Sequence, residues 1–441
     1  MLSDYLWSIM LRTGQVAIES SPTLVIGFFI SAVLRVMLGC PGTRRLFGGE
    51  NLRGLFRAWV IGSLLPVCSL GVVPIARELL RAGVPSATIL AFLLAAPQLN
   101  PLSLLYGLTL SEPVIIVVFV IATMVIAVLG GEIWKRVFER PDDSQLAADE
   151  ATPAPGVKRI IAVLVAACRE AVSPAMIYVL IGIVITGLLT GLIPHGALST
   201  SMRHDNWTSP ELMALIGLPS YSGVLQGMMR IGLMFDHGNS VGASFMLFEI
   251  GVGMNLGLVV YLVIHYSWRR VLLWLATIVA LALAIAHAIE NPLYFAREDA
   301  GHTHAFDDWS NPFPDGYSPS WEVVRGKLLQ KIEVLEPIAL VILALLLLCG
   351  GVLARFDPSR RLEAWLVQSP PPLAGPPSIW NRAVPGPILG LCILLGLVLF
   401  SIIALYIYYP DTQQGFDEIT RVRADAIAAI RTGKKEEAIR Q

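Results

Sequence analysis

Uncharged apolar stretches of bilayer length recur along this chain: Pro22 to Val36, Pro113 to Leu129, Pro174 to Leu192, Val271 to Ile289, Ile338 to Ala354 and Pro385 to Tyr408. A helix of about twenty mostly apolar residues crosses a hydrocarbon core of about 30 Å. Several such stretches exclude both a signal peptide and a single anchor, and they predict an all-α integral membrane protein. Of 441 residues, 55% are hydrophobic and 15% charged, whereas a soluble domain carries roughly a quarter charged residues. The lipid bilayer is therefore the first partner.

The N-terminal MLSDYLWSIMLR lacks a basic region, apolar run and small-residue cleavage site, so it reads as retained. Leu2, Leu6, Ile9 and Met10 stand at helical spacing opposite Ser3, Asp4, Ser8 and Arg12, which predicts a helix lying in the headgroup region. Net charge is -1 with scattered Lys and Arg, so nucleic acid is excluded as a partner. The five cysteines, Cys40, Cys68, Cys168, Cys349 and Cys392, show no CxxC spacing and read as thiols, not as a disulfide framework or zinc site.

Two halves of the chain match in order. Glu19-Ser20-Ser21-Pro22 parallels Glu170-Ala171-Val172-Ser173-Pro174, Pro66 and Ser69 parallel Pro219 and Ser222, Ala82-Gly83 parallels His237-Gly238, and Asn100 parallels Asn255. The offset drifts by only a few residues, so the halves read as diverged copies of one unit, as in many secondary transporters. Basic residues cluster at Arg35 to Arg57, at Lys135 to Arg159, at Arg269 and Arg270, and at Arg355 to Arg382. All four groups fall in the cytoplasm if Leu55 to Leu80 and the segment around Pro219 to Gly223 each enter and leave on one side. Each copy then has three crossings and one re-entrant broken hairpin, the second copy is inverted, and two additional C-terminal spans make eight crossings. The units are 1–138 and 158–290 for the copies, 139–157 for a cytoplasmic linker, 291–334 for an extracytoplasmic loop, 335–409 for the additional spans and 410–441 for a helical tail. The loop and the tail are where a protein partner would attach.

Pro and Gly breaks at membrane depth survive where they line a cavity or are covered by protein. Such breaks stand at Pro66 to Gly71, Pro97 to Pro101, Pro219 to Gly223 and Gly251 to Asn255, and broken helices of this kind form midplane sites. The candidate residues for a small solute are Pro66, Cys68, Ser69, Gln98, Asn100, Ser222 and Asn255. Asn100 and Asn255 could equally hold a broken helix to its neighbour. Glu249, the deepest carboxylate, is the candidate for ion coupling, the alternative being a pair with an interfacial arginine. Asp236 and His237 read as interfacial, and Glu19 and Glu170 as carboxylates at helix N-termini. In REDAGHTHAFDDW, Glu298, Asp299, His302, His304, Asp307 and Asp308 read as a solvated acidic loop rather than a metal site. No catalytic constellation, resident cofactor or phosphate-cradling loop is predicted.

GSLLPVCSLGVVPIARELLRAGVPSATILAFLLAAPQLNP, Gly62 to Pro101, resembles the predicted permeases that include the organoarsenical (ArsP-type) exporters, whose stretch reads LPVCSCGVVP, then GVP, then AFLLA-P-NP. The resemblance implies an inner-membrane efflux permease, proton-coupled, with thiols near its path. Cys68 matches the first cysteine of that pattern, whereas Leu70 replaces the second and Tyr221 stands at the repeated position. A lone thiol cannot chelate a thiophilic metalloid as two do, so a secondary permease for a small solute or metalloid species is the reading. The alternative is a non-transporting scaffold subunit of a larger complex.

Overall fold

The computed structural model describes residues 2–49, 51–110, 112–140, 157–194, 196–294, 305–313, 319–329, 332, 335–367 and 385–408. Among them the chain is helical throughout, with one isolated bridge between Arg203 and Asn239. The linker from 141 to 156, His302 and His304, the proline-rich stretch 369–378 and the C-terminal tail lie outside the described residues.

The first part runs through α1 (Leu2–Val33), a π-helical turn (Leu34–Leu38), α2 (Gly39–Phe47), α3 (Leu52–Leu64), α4 (Val72–Arg81), α5 (Ser86–Ala95), α6 (Pro101–Gly107) and α7 (Pro113–Ile133). The second runs through α8 (Val157–Ala171), α9 (Ala175–Leu192), α10 (Ala197–Ser201), α11 (Ser209–Gly217), α12 (Val224–Asp236), α13 (Val241–Met246), a π-helical turn (Leu247–Val252), α14 (Leu256–Tyr266) and α15 (Trp268–Leu293). A 3₁₀ turn (Asp307–Trp309) precedes α16 (Trp321–Leu329), α17 (Leu335–Phe356), α18 (Arg361–Val367) and α19 (Gly386–Tyr408). The succession of helix, broken pair, broken pair and long helix occurs in both parts.

Six helical stretches are long and apolar enough to cross a membrane: Asp4–Phe47, Pro113–Phe138, Ala175–Leu192, Trp268–Leu293, Leu335–Phe356 and Gly386–Ile403. They coincide with the six stretches that the sequence marks. A seventh crossing arises if Val241–Val252 and Leu256–Tyr266, bent by 57°, form one span. The eighth crossing expected through Pro97 falls on α5 and α6, and α5 is too short alone because the chain leaves the helix after Ala95.

The N-terminal segment is not a separate interfacial helix. Leu2 continues without interruption through Pro22 to Val33. A proline inside a helix leaves the carbonyl four residues earlier without its N–H, and here the Ser21 hydroxyl donates to that carbonyl, Ile18 O, at 2.7 Å. Glu19 consequently sits in mid-helix, and Glu170 sits in the last turn of α8, paired with Arg77 at 2.9 Å. Neither caps a helix N-terminus. In the described part of the acidic loop Ala305, Phe306 and Trp309 are buried, as are Ser310 and Phe313 just beyond it, while Asp307 and Asp308 between the aromatics are half-buried; the aromatic side chains gain by leaving water.

At one end of the bundle Trp134 Nε1 donates to Ser86 Oγ at 2.9 Å, Arg270 Nη1 to Phe138 O at 3.0 Å, and Arg169 Nη2 to Asp357 Oδ2 at 3.1 Å. At the other, Ser8 Oγ donates to Gly191 O at 3.1 Å, Asn311 N to Ile193 O at 2.7 Å, and Ser240 Oγ to Glu290 Oε2 at 2.8 Å. Long apolar faces of α17 and α19, including Leu345, Leu348, Leu395 and Leu399, remain exposed, as suits lipid contact.

α1 and α9 pack backbone to backbone through glycines. A β-carbon on Gly187 would meet Thr13 N and Cα at 2.7 Å, and one on Gly191 would meet Ile9 N and Cα at 2.9 Å. Close approach through small residues is the usual means of helix association in lipid. Gly187→Leu is therefore expected to destabilise the fold by about 2 kcal/mol or more, seen as a lower Tm in detergent. Gly351→Ala, where an added carbon meets nothing within 4 Å, should leave Tm unchanged or raise it.

Candidate substrate site

Both short helices that follow the second breaks start on asparagine. Asn100 caps α6 with Oδ1 accepting from Ser103 N at 2.8 Å, and Asn255 caps α14 with Oδ1 accepting from Leu258 N at 3.0 Å. An asparagine side chain satisfies an orphan helix N–H in this way. The cap fixes which amide atom is oxygen, so each Nδ2 points away from its own helix. Both residues are wholly buried, and neither Nδ2 has a hydrogen-bond partner among the described residues.

The four breaks touch one another. Gln98 Nε2 donates to Glu249 O at 2.8 Å and packs against Gly253. Leu256 N donates to Pro219 O at 3.2 Å. A β-carbon on Gly217 would lie 3.0 Å from Gly251 Cα, and Gly182 of α9 fits between Leu70 and Asn255 Oδ1. The Tyr221 hydroxyl lies beside the Cys68 thiol, so two residues at matched places in the halves face each other.

Cys68 is fully buried. Thr23 Oγ1 donates to its sulfur at 2.9 Å and Gly71 N approaches it at 3.3 Å. Both contacts treat the sulfur as an acceptor that ends the first break, and Leu70 supplies no second thiol. Among the described residues no group of three His, Cys, Asp or Glu side chains is placed to hold a metal.

Glu249 lies in the π-helical turn Leu247–Val252 and is wholly buried. Thr123 Oγ1 donates to its Oε2 at 2.7 Å, while Oε1 has no hydrogen-bond partner among the described residues. The alternative of an interfacial arginine fails, because no cation pairs with Glu249 among the described residues. The nearest break residue, Gln98, is uncharged and keeps its own Oε1 unpartnered. π-helical turns are frequent at functional sites.

Of the candidates from sequence, Pro66, Cys68, Ser69, Gln98, Asn100, Glu249 and Asn255 lie in closed packing, with the Ser69 hydroxyl unpartnered. Ser222 differs, since it accepts from Arg230 Nη1 at 2.8 Å and lines a narrow polar cleft with Tyr221 and Gly223. The cleft also exposes what sequence reasoning missed: Arg12 and Arg230, both buried, and Thr186, whose hydroxyl accepts from Tyr221 N at 2.7 Å. The available signal was Arg230 alone in the apolar run Val224 to Phe235. Asp236 and His237, at the end of α12, are exposed and half-buried respectively.

Loss of either cap is a measurable cost. Asn100→Ala and Asn255→Ala should each lower stability by about 1 kcal/mol, whereas the serine variants, which keep a capping oxygen, should lose less. Thermal unfolding in detergent distinguishes the two pairs.

The profile of a family described as predicted permeases (ArsP_1) matches residues 6–291. Among curated proteins, the chain is 32% identical over 89 residues to the UPF0718 protein YcgR of Bacillus subtilis (strain 168). It is 29% identical over 89 residues to a putative two-component membrane permease complex subunit of Streptococcus mutans serotype c. Each match covers 20% of this chain and 30% of the relative's length. No solved structure matches. Six membrane-length helices and a family match that takes in both broken-helix parts lead to one conclusion: this chain is a membrane protein belonging to the predicted permease (ArsP_1) family.

Proposed function

We propose that the chain moves a small solute across a bacterial inner membrane by alternating access, as an exporter, from a site where the four breaks meet. Pro66, Cys68, Ser69, Gln98, Asn100, Ser222 and Asn255 contribute the site, and Glu249 carries the coupling proton. The observation that carries this reading is the pair of capping asparagines, Asn100 and Asn255, each with a buried Nδ2 that has no partner among the described residues. Unpaired donors in a medium without water cost several kcal/mol, and a solute with oxygen acceptors would satisfy them. A thiophilic metalloid fits less well, since the one thiol nearby already accepts from Thr23 and Gly71.

Inverted copies suit the contacts. The hairpin α3–α4 runs from beside Gly48, where Arg57 packs, back to Arg77 beside Glu170. The hairpin α11–α12 runs from Glu211, bonded to His287 at 2.7 Å, back to Asn239, whose Nδ2 donates to Met202 O at 3.2 Å. Each hairpin returns to the end it left, and the two use opposite ends of the bundle. In this reading the basic loops lie in the cytoplasm and the bundle is closed around its central site, so transport requires the halves to move apart.

A second reading is favoured by one relative's description as a complex subunit and by the exposed faces of α17 and α19: the chain works with a partner, or serves as its scaffold. Purification in mild detergent separates the two, since a stoichiometric partner favours the complex.

Transport itself is tested in proteoliposomes across oxygen-bearing small solutes and metalloid species, with and without a pH gradient. Asn100→Ser and Asn255→Ser keep the cap and remove the amide NH₂ that reaches the solute, so transport should fall on the order of tenfold, about 1.4 kcal/mol, with Tm little changed. Glu249→Gln should make the remaining transport insensitive to the gradient. Equal rates in all four proteins would refute the site.

A further inference from the structure

The segment 305–313 enters the bundle beside the third and fourth breaks. The Trp309 side chain is 2% exposed, and a β-carbon on Gly251 would lie 3.1 Å from its Cη2 atom, so the ring rests on the first residue of the fourth break. Arg230 lies with Cζ 4.9 Å from the ring centre and donates to Ser222 Oγ of the third break at 2.8 Å. With Tyr221, Ser222 and Gly223, Trp309 lines a cleft that has room for about one water molecule. One tryptophan is thus wedged against two of the four breaks that contribute the proposed site.

Groups of three helices hold the segment there. Arg12 of α1 grips its backbone, donating through Nε to Ser310 O at 3.0 Å, and through Nη2 to Ser310 O at 2.6 Å and to Asp307 O. Asn311 N donates to Ile193 O, at the end of α9, at 2.7 Å. Asp308 pairs with Arg12 at 3.6 Å and with Arg230 of α12 at 3.9 Å. Arg12 and Arg230 face Glu19, Asp307 and Asp308, so the charges of the cleft are matched while the segment is in place. These holds are polar, and a polar contact can be exchanged for water at a small net cost. The glycine-mediated packing of α1 on α9 has no such exchange. An apolar ring kept in place by exchangeable polar contacts has the make-up of a removable plug.

We propose that residues 305–311 are a gate on the solute path, with Trp309 as its plug and Arg12 as the clamp that holds it shut. When the segment withdraws, the cleft widens by the volume of an indole and water reaches Ser222 and Gly251. When it returns, the ring seals the third and fourth breaks from that end of the bundle. The residues that match the family end at 291, so the gate comes from a part of the chain beyond them. The inference rests on the transport reading, because a gate serves a path.

The full chain in detergent, carrying Ser222→Cys as a nearly isosteric reporter in the cleft, tests this. The rate at which the introduced thiol reacts with a water-soluble maleimide is read by peptide mass spectrometry, which separates it from the five native thiols. Adding Trp309→Ala removes the plug. Adding Arg12→Lys keeps the charge and loses the fork that grips Ser310 O and Asp307 O. Each should speed labelling about tenfold, as when a mostly closed state is opened. Trp274→Ala removes a buried ring that packs on Trp134 at the opposite end of the bundle, and should lower Tm without that acceleration. A fixed wall would respond to loss of the ring and not to Arg12→Lys. Unchanged labelling in either folded gate variant, or equal acceleration in Trp274→Ala, overturns the proposal, and Arg12→Lys decides alone if Trp309→Ala does not fold. Labelling does not require transport, so a failed gate is distinguishable from a failed substrate site, which shows as unchanged transport in Asn100→Ser and Asn255→Ser.

Discussion

A peptide group inside hydrocarbon must find its partner within the protein, and the arrangement of this chain follows from how it meets that constraint at its breaks. Helices α4, α6, α12 and α14 all begin after an interruption, and each interruption exposes N–H groups that lipid cannot satisfy. Asn100 and Asn255 close two of them through Oδ1. Cys68 and Thr186 close others, the thiol accepting from Gly71 N and the hydroxyl from Tyr221 N. Breaks satisfied in this way cannot face lipid, so they are driven to the centre. There they satisfy one another, as when Gln98 donates to Glu249 O and Leu256 N to Pro219 O.

The close fit of α1 against α9 makes that centre possible. Glycines 182, 187 and 191 lie along one face of α9 and let Leu70, Thr13 and Ile9 approach the helix backbone. With α1 held so closely, Thr23 reaches Cys68 and Arg12 reaches the loop at Ser310. The same packing thus sets the sulfur-centred break beside the charged cleft, joined by Tyr221, which faces Cys68 and lines the cleft. Glu249, which has no cation partner among the described residues, lies by the second and fourth breaks, whereas Arg230 donates to Ser222 of the third.

Much of the fold was legible in the residues because hydrophobic length and proline position act locally. The six spans, the breaks at Pro66, Pro97 and Pro219, and the family carried by Gly62 to Pro101 follow from the order of side chains alone. Other features depended on partners distant in the chain. Pro22 would end a helix by its own chemistry, yet Ser21 supplies the missing donor and α1 continues. Glu170 stands before a Ser-Pro pair as Glu19 does, but the position of Arg77 makes it an ion-pair partner. The acidic loop is polar enough for water, and Arg12 and Trp309 draw its described part inward.

The sequence by itself determined that this chain lives in a membrane, that it is helical, and that two of its parts share matched Pro, Ser and Asn positions. Those properties depend on transfer of side chains to lipid and on backbone chemistry, which neighbouring residues settle. Only the tertiary structure decided that Cys68 faces Tyr221, that Glu249 has Thr123 and, among the described residues, no cation, and that Arg12 and Arg230 both pair with Asp308. Each of these joins residues from different helices, and the energy of a buried polar group is set by the partner it reaches in space.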